Sequence, residues 1–149
     1  APEATRADTM HLTLLTSMTD AGVAPGKAVS MAFDVTPKKT MHVYAPGKHD
    51  YQVITVKLDP QPWFRVQPTK YPPSESYHFE PTNETIPVYS KPFRLTREVT
   101  ILDTPEARQQ LAGKSEVTIG GVLEYQACDD KLCYPPTKVP VRFTVPLKP

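Results

Sequence analysis

At 149 residues and a net charge of +1, from 17 basic and 16 acidic side chains interspersed along the chain, the sequence has the size of a single domain and no field to draw in nucleic acid or an anionic membrane surface. Eighteen prolines against six glycines, with 39% hydrophobic residues in short groups, exclude a helical bundle, because proline ends helices and is tolerated mainly at strand ends and in loops. No apolar run approaches the roughly 18 residues of a membrane span, and the opening Ala1-Pro2-Glu3-Ala4 suits a mature exported chain.

Residues 1–8 are small and polar and read as a flexible lead-in, with residues 9–149 as one domain. Alternation over residues 10–15 predicts a first strand, and residues 20–26 a loop. Residues 27–35 place Val29, Met31, Phe33 and Val35 on one face and Ala28, Ser30, Ala32 and Asp34 on the other, the period-2 signature of a half-buried strand. Further strands are predicted at residues 40–44, 53–58 and 63–66. Residues 67–87 differ: Pro68, Pro72, Pro73, Pro81 and Pro87 alternate with Tyr71, Tyr77, His78 and Phe79 and follow neither period. They read as a long loop, ordered because of its aromatic content, and loops of about 20 residues in a compact domain are usually functional or disordered. Residues 93–101 return to strand. Thr104, Pro105 and Gly113 bracket a short helix as cap, first-turn proline and terminal glycine. Residues 117–127 and 139–145 are the last strands, with Gly120-Gly121 marking a bulge or a close backbone approach. Short strands separated by turns predict an all-β fold, an immunoglobulin-like two-sheet β-sandwich.

Both cysteines lie in the run Tyr125-Gln-Ala-Cys128-Asp129-Asp130-Lys-Leu-Cys133-Tyr134-Pro-Pro136. As a staple the pair would close a loop of about six residues, worth only about 2 kcal/mol in the chain-entropy model. Structural zinc asks for four Cys or His ligands, and two cysteines with four scattered histidines do not supply them, so no metal is expected. Redox exchange is the third reading. Four residues between two strands form a hairpin whose opposed Cα atoms lie about 4.5–5.5 Å apart, within reach of a disulfide. A partner's thiolate could attack one sulfur at such a tip, and the other cysteine could resolve the mixed disulfide. Spacing alone leaves staple and exchange both open.

Other residues carry less. Trp63 and Phe64 read as packing residues, His11, His49 and His78 are dispersed, and Met10, Met18, Met31 and Met41 form no cluster. Asn83-Glu-Thr85 matches a glycosylation acceptor by chance. No Ser/His/Asp set, phosphate-cradling glycine loop or paired carboxylates are recognisable, so the chemistry expected is electron-pair transfer by sulfur without an organic cofactor.

The cysteine hairpin resembles the active-site hairpin of the periplasmic N-terminal domain of the thiol-disulfide interchange protein DsbD. His42-Val-Tyr44-Ala45 is similar to that family's aromatic strand ahead of the pair, Tyr71-Pro-Pro73 to its proline stretch, and residues 88–101 to its strand before the hairpin. The resemblance spans residues 25–146, with the hairpin as its specific part and a tighter loop between the cysteines. It implies an immunoglobulin-like fold and a periplasmic or otherwise exported, bacterial setting. There a thioredoxin-like protein or domain, fed by a membrane-embedded segment, reduces the pair, and the pair reduces client disulfide proteins. By the same resemblance Cys133 forms the mixed disulfide and Cys128 resolves it. His42, Tyr44, Tyr125, Asp129, Asp130 and Tyr134 are expected near the pair, and a cap loop over residues 77–84 is expected to shield it, with Tyr77 and Phe79 as candidates for its tip. The chain shows no membrane segment of its own, and fusion to one in a longer protein is compatible with this reading. The rival is a non-catalytic immunoglobulin-like binding or accessory module whose bridge only braces a hairpin. A third reading is metal delivery through the two thiols, with His42 or Met41 nearby.

Overall fold

Alternating apolar residues become strands in the computed structural model, which describes residues 5–18 and 23–148. The chain forms β1 (Arg6–Asp8), β2 (Leu12–Met18), β3 (Ala28–Pro37), β4 (His42–Tyr44), β5 (Thr55–Leu58) and β6 (Phe64–Val66). It continues with β7 (Glu75–Phe79), β8 (Glu84–Tyr89), β9 (Phe93–Ile101), the short helix α1 (Pro105–Leu111), β10 (Glu116–Tyr125), β11 (Ala127–Cys128) and β12 (Thr137–Pro146). Thr104 caps α1, its side-chain oxygen accepting from the Ala107 N–H at 3.1 Å.

Neighbouring strands in the sheets are antiparallel, in the orders β1-β2-β3-β9-β6, β12-β10-β5 and β11-β4-β8-β7. The first two form the layers of an immunoglobulin-like sandwich. Val29, Met31, Phe33 and Val35 of β3 are buried as their alternation requires, and Phe33 meets Phe143 of β12 edge to face with ring centroids 5.6 Å apart.

The third sheet positions the site. Val43, Tyr89 and Ala127 point into the main core, whereas their chain neighbours Tyr44, Val88 and Cys128 form a second apolar cluster with Ile86. Successive strand residues face opposite ways. Even a two-residue strand such as β11 therefore sends one side chain to each cluster.

Two expectations are corrected. Residues 67–87 are not one loop, since they contain the β7–β8 hairpin, paired from Glu75↔Val88 to Phe79↔Glu84. The prolines are compatible with it: Pro72 and Pro73 precede β7, Pro81 sits in the turn, and Pro87 lies within β8, where its carbonyl accepts from the Ala45 N–H at 3.0 Å. Asn83 turns the hairpin with φ of 55°. Residues 6–8, expected in the lead-in, form β1, because a polar segment can still pair its backbone along the free edge of β2. Residues 1–4 of that lead-in, and residues 20–22 of the expected 20–26 loop, lie outside the described residues.

Gly120-Gly121 is a close approach rather than a bulge. The β10–β12 register runs unbroken through both, and a Cβ on Gly121 would fall 2.1 Å from the Lys57 carbonyl oxygen of β5. Gly121→Ala is expected to destabilise the fold by about 1–3 kcal/mol or more, since a backbone atom in a paired strand cannot step aside. The denaturation midpoint of the variant measures this.

Candidate functional site

β10 runs through Gln126 into β11, which lies against β4 with Ala127 opposite Val43 and Cys128 opposite His42. Cys128 and Cys133 face each other as an antiparallel bridge and are joined by a disulfide, their Cα atoms 4.0 Å apart. Cys128 is fully buried, while Cys133 keeps partial exposure. The tip between them is built by Asp129, whose Oδ1 accepts from the backbone N–H groups of Lys131 (2.8 Å) and Leu132 (2.9 Å). Those donors, with the Tyr134 hydroxyl donating to Oδ2 at 3.1 Å, hold its carboxyl below the usual carboxylate range. Asp129 thus forms the turn. The Tyr134 N–H returns to the Ala127 carbonyl at 2.9 Å and closes the hairpin behind the sulfurs.

Aromatic side chains wall the disulfide. The Tyr44 hydroxyl donates to Cys128 Sγ at 2.8 Å and lies 3.6 Å from Cys133 Sγ. Its ring stacks on Tyr51, centroids 4.3 Å apart and planes 7° from parallel, and the Tyr51 hydroxyl reaches Glu84 Oε1 at 3.3 Å. From β7, Tyr77 donates to Asp130 Oδ1 at 3.0 Å and packs its ring 4.3 Å from that of His42. Burial pushes the Tyr44 hydroxyl far above the ordinary tyrosine value, so it stays protonated and remains a donor. A fixed O–H aimed at a sulfur can stabilise negative charge that appears there when the disulfide opens. Tyr44→Phe keeps the ring and removes the donor. Hydrogen bonds to charged groups contribute about 1.5–3 kcal/mol, so opening by dithiothreitol at fixed pH is expected to slow by at least about tenfold. An unchanged rate would show that this hydroxyl carries no such charge.

The structure brings Cys128, Cys133, His42, Tyr44, Asp129, Asp130, Tyr134 and Tyr77 together. Tyr125 stands apart: it faces the main core, its hydroxyl 2.9 Å from His11 Nδ1 and 2.8 Å from Thr9 Oγ1. Phe79 is buried on the same face of β7 as Tyr77, ring centroids 6.4 Å apart, and belongs to neither apolar cluster, so Tyr77 is the aromatic of this hairpin that packs against the cysteine cluster. Sequence reasoning assigned no role to Tyr51 or Glu84, nor to His49, whose Nε2 donates to the Ala45 carbonyl at 2.7 Å. Their only signal was an aromatic returning seven positions after Tyr44 through Gly47, where a Cβ would meet Pro87 of β8 at 2.6 Å. Among the described residues no group of three His, Cys, Asp or Glu is placed to hold a metal ion, and no helix is long and apolar enough to cross a membrane.

The family model described as "Thiol:disulfide interchange protein DsbD, N-terminal" matches residues 15–144. No curated protein matches the chain. Among solved structures, the N-terminal periplasmic domain of ScsB from Proteus mirabilis is similar with a TM-score of 0.63 at 14% identity, over 93% of this chain and 48% of that one. The chain spans about half the length of that neighbour, and at such identity the likeness speaks for the fold alone. Because the family match runs from β2 into β12 and takes in both cysteines with the strands that wall them, the chain belongs to the family of DsbD N-terminal domains.

Proposed function

We propose that this chain is a periplasmic thiol-disulfide exchange domain, with β1 to β12 as one working unit, that accepts reducing equivalents from a thioredoxin-like protein or domain and passes them to client disulfides. The observation that carries the reading is the pairing of a partly exposed Cys133 with a buried Cys128 whose sulfur accepts the Tyr44 hydroxyl. A partner's thiolate attacks Cys133 Sγ, a new S–S bond forms, the Cys128–Cys133 bond breaks, and its electron pair goes to Cys128 Sγ. The partner's second thiolate then attacks its own bridged sulfur and releases Cys133, leaving the partner oxidised and the domain reduced. Toward a client the sequence reverses: Cys133 attacks the client disulfide and Cys128 resolves the mixed disulfide.

The two-cluster arrangement supports this reading, because opening a bridge in the smaller cluster leaves the main core paired and packed. The β7–β8 hairpin, with Tyr77 against the cluster, acts as the shield that a docking partner moves aside.

The test is the reduction potential of the pair, from equilibration in graded thiol buffers with trapping of free thiols. A midpoint of roughly −120 to −270 mV with the fold retained, the range of exchange pairs, is the expected result. A midpoint below about −300 mV, typical of structural disulfides, or unfolding on reduction, would replace exchange with the bracing role of an accessory module.

A further inference from the structure

Among the described residues, two buried histidine nitrogens have no hydrogen-bond partner: His11 Nε2 and His42 Nε2. His11 is tied to Tyr125 in the main core. His42 is 3% exposed and lies opposite Cys128 in the β4–β11 register. Opposed residues of an antiparallel pair project from the same face with Cβ atoms about 4.5–5.5 Å apart. The ring that carries a buried, unpartnered nitrogen therefore projects from the same face as Cys128, whose sulfur receives the electron pair when the bridge opens, and burying such an atom is costly unless something comes to satisfy it.

We infer that His42 is the charge partner of Cys128, taking up a proton at Nε2 as the disulfide opens and forming an imidazolium–thiolate pair in the reduced domain. The inference rests on the exchange reading above. The balance closes without a further reactant: the partner's thiolate becomes one half of a new S–S bond with Cys133, Cys128 leaves as a thiolate, and His42 takes the proton that the partner's thiol gave up to water on ionising. When Cys128 later attacks the mixed disulfide with a client, its electron pair returns to an S–S bond and His42 releases that proton.

The surroundings fit both states. With the disulfide closed, burial holds the His42 imidazole below its ordinary value, and Asp130 and Asp129 offset this only in part. Tyr44 from its own strand and Tyr77 from β7 flank the ring as neutral hydroxyl-bearing aromatics, and Val88 of β8 is apolar. A cavity of about 270 Å³ has His42 in its wall together with Lys38, Lys39, Glu75 and Asp130. The two ammonium groups oppose a second cation there while the carboxylates favour one, so a new negative charge on Cys128 decides the balance.

The decisive measurement is the titration of the His42 ring by NMR in the oxidised domain and in the domain reduced with a phosphine. His42 is expected to bind its proton at least about tenfold more tightly in the reduced form. A reduced domain that stays folded with an unchanged His42 titration overturns this inference alone. Unfolding on reduction overturns both it and the exchange reading. His42→Phe supplies the kinetic arm, since it keeps an aromatic ring between Tyr44 and Tyr77. Its disulfide should open about tenfold more slowly than wild type with dithiothreitol near pH 6, with the gap closing as pH rises past the His42 titration. A gap of equal size at every pH would assign His42 a packing role and overturn the inference.

Discussion

A Cys128→Ala variant, offered a single-cysteine thioredoxin-like probe carrying an activated disulfide, is expected to form a stable mixed disulfide through Cys133. Cys133→Ala, whose remaining thiol is fully buried, should form the same adduct slower by on the order of a hundredfold. The asymmetry follows from placement: β11 fixes Cys128 between the Tyr44 hydroxyl and the second apolar cluster, whereas Cys133 stands on the returning side of the loop with partial exposure. Mass spectrometry of the quenched reaction reads the adducts directly. Equal labelling of the two variants, or faster labelling at Cys128, would reverse the roles assigned to the two sulfurs.

Phe143→Ala is expected to cost about 3–5 kcal/mol of stability. Phe143 is fully buried at the meeting of the two sandwich sheets, edge to face with Phe33. The loss should appear as a lower denaturation midpoint with an unchanged slope. Because Phe143 belongs to the main core and the disulfide to the smaller cluster, the reduction potential of the folded variant should match that of wild type. A potential that moved with Phe143 would show the two clusters to be coupled.

The strands that alternate in isolation were legible in the sequence. Residues 93–101 form a strand at those limits, and β3 buries the four apolar residues its period picks out. The capped helix follows from Thr104 and Pro105. What local pattern could not reveal was pairing between distant segments. The β7–β8 hairpin is rich in prolines and polar residues because its exposed positions face solvent and its turn needs Pro81 and Asn83, so its composition reads as loop. The site shows the same limit. Cys128, Cys133 and the turn-forming Asp129 announce themselves as one short motif, yet which tyrosine meets the sulfur depends on the register of β11 against β4, more than 80 residues earlier in the chain. That register selects Tyr44 and leaves Tyr125, the tyrosine nearer in sequence, with His11 and Thr9.

The cysteines sit beyond the end of the long β10–β12 ladder, which is paired from Glu116↔Pro146 to Tyr125↔Thr137. When their bond breaks, neither sulfur drifts away, since the two strands still hold the loop ends in register. The free Cys128 thiol then competes for the sulfur of Cys133 at a high effective concentration, as a group tethered to its target rather than one arriving from solution. On the exchange chemistry proposed above, a partner bound through Cys133 is a brief visitor: the ladder sets the clock for its departure, and lengthening the tip between the cysteines should make each visit last longer.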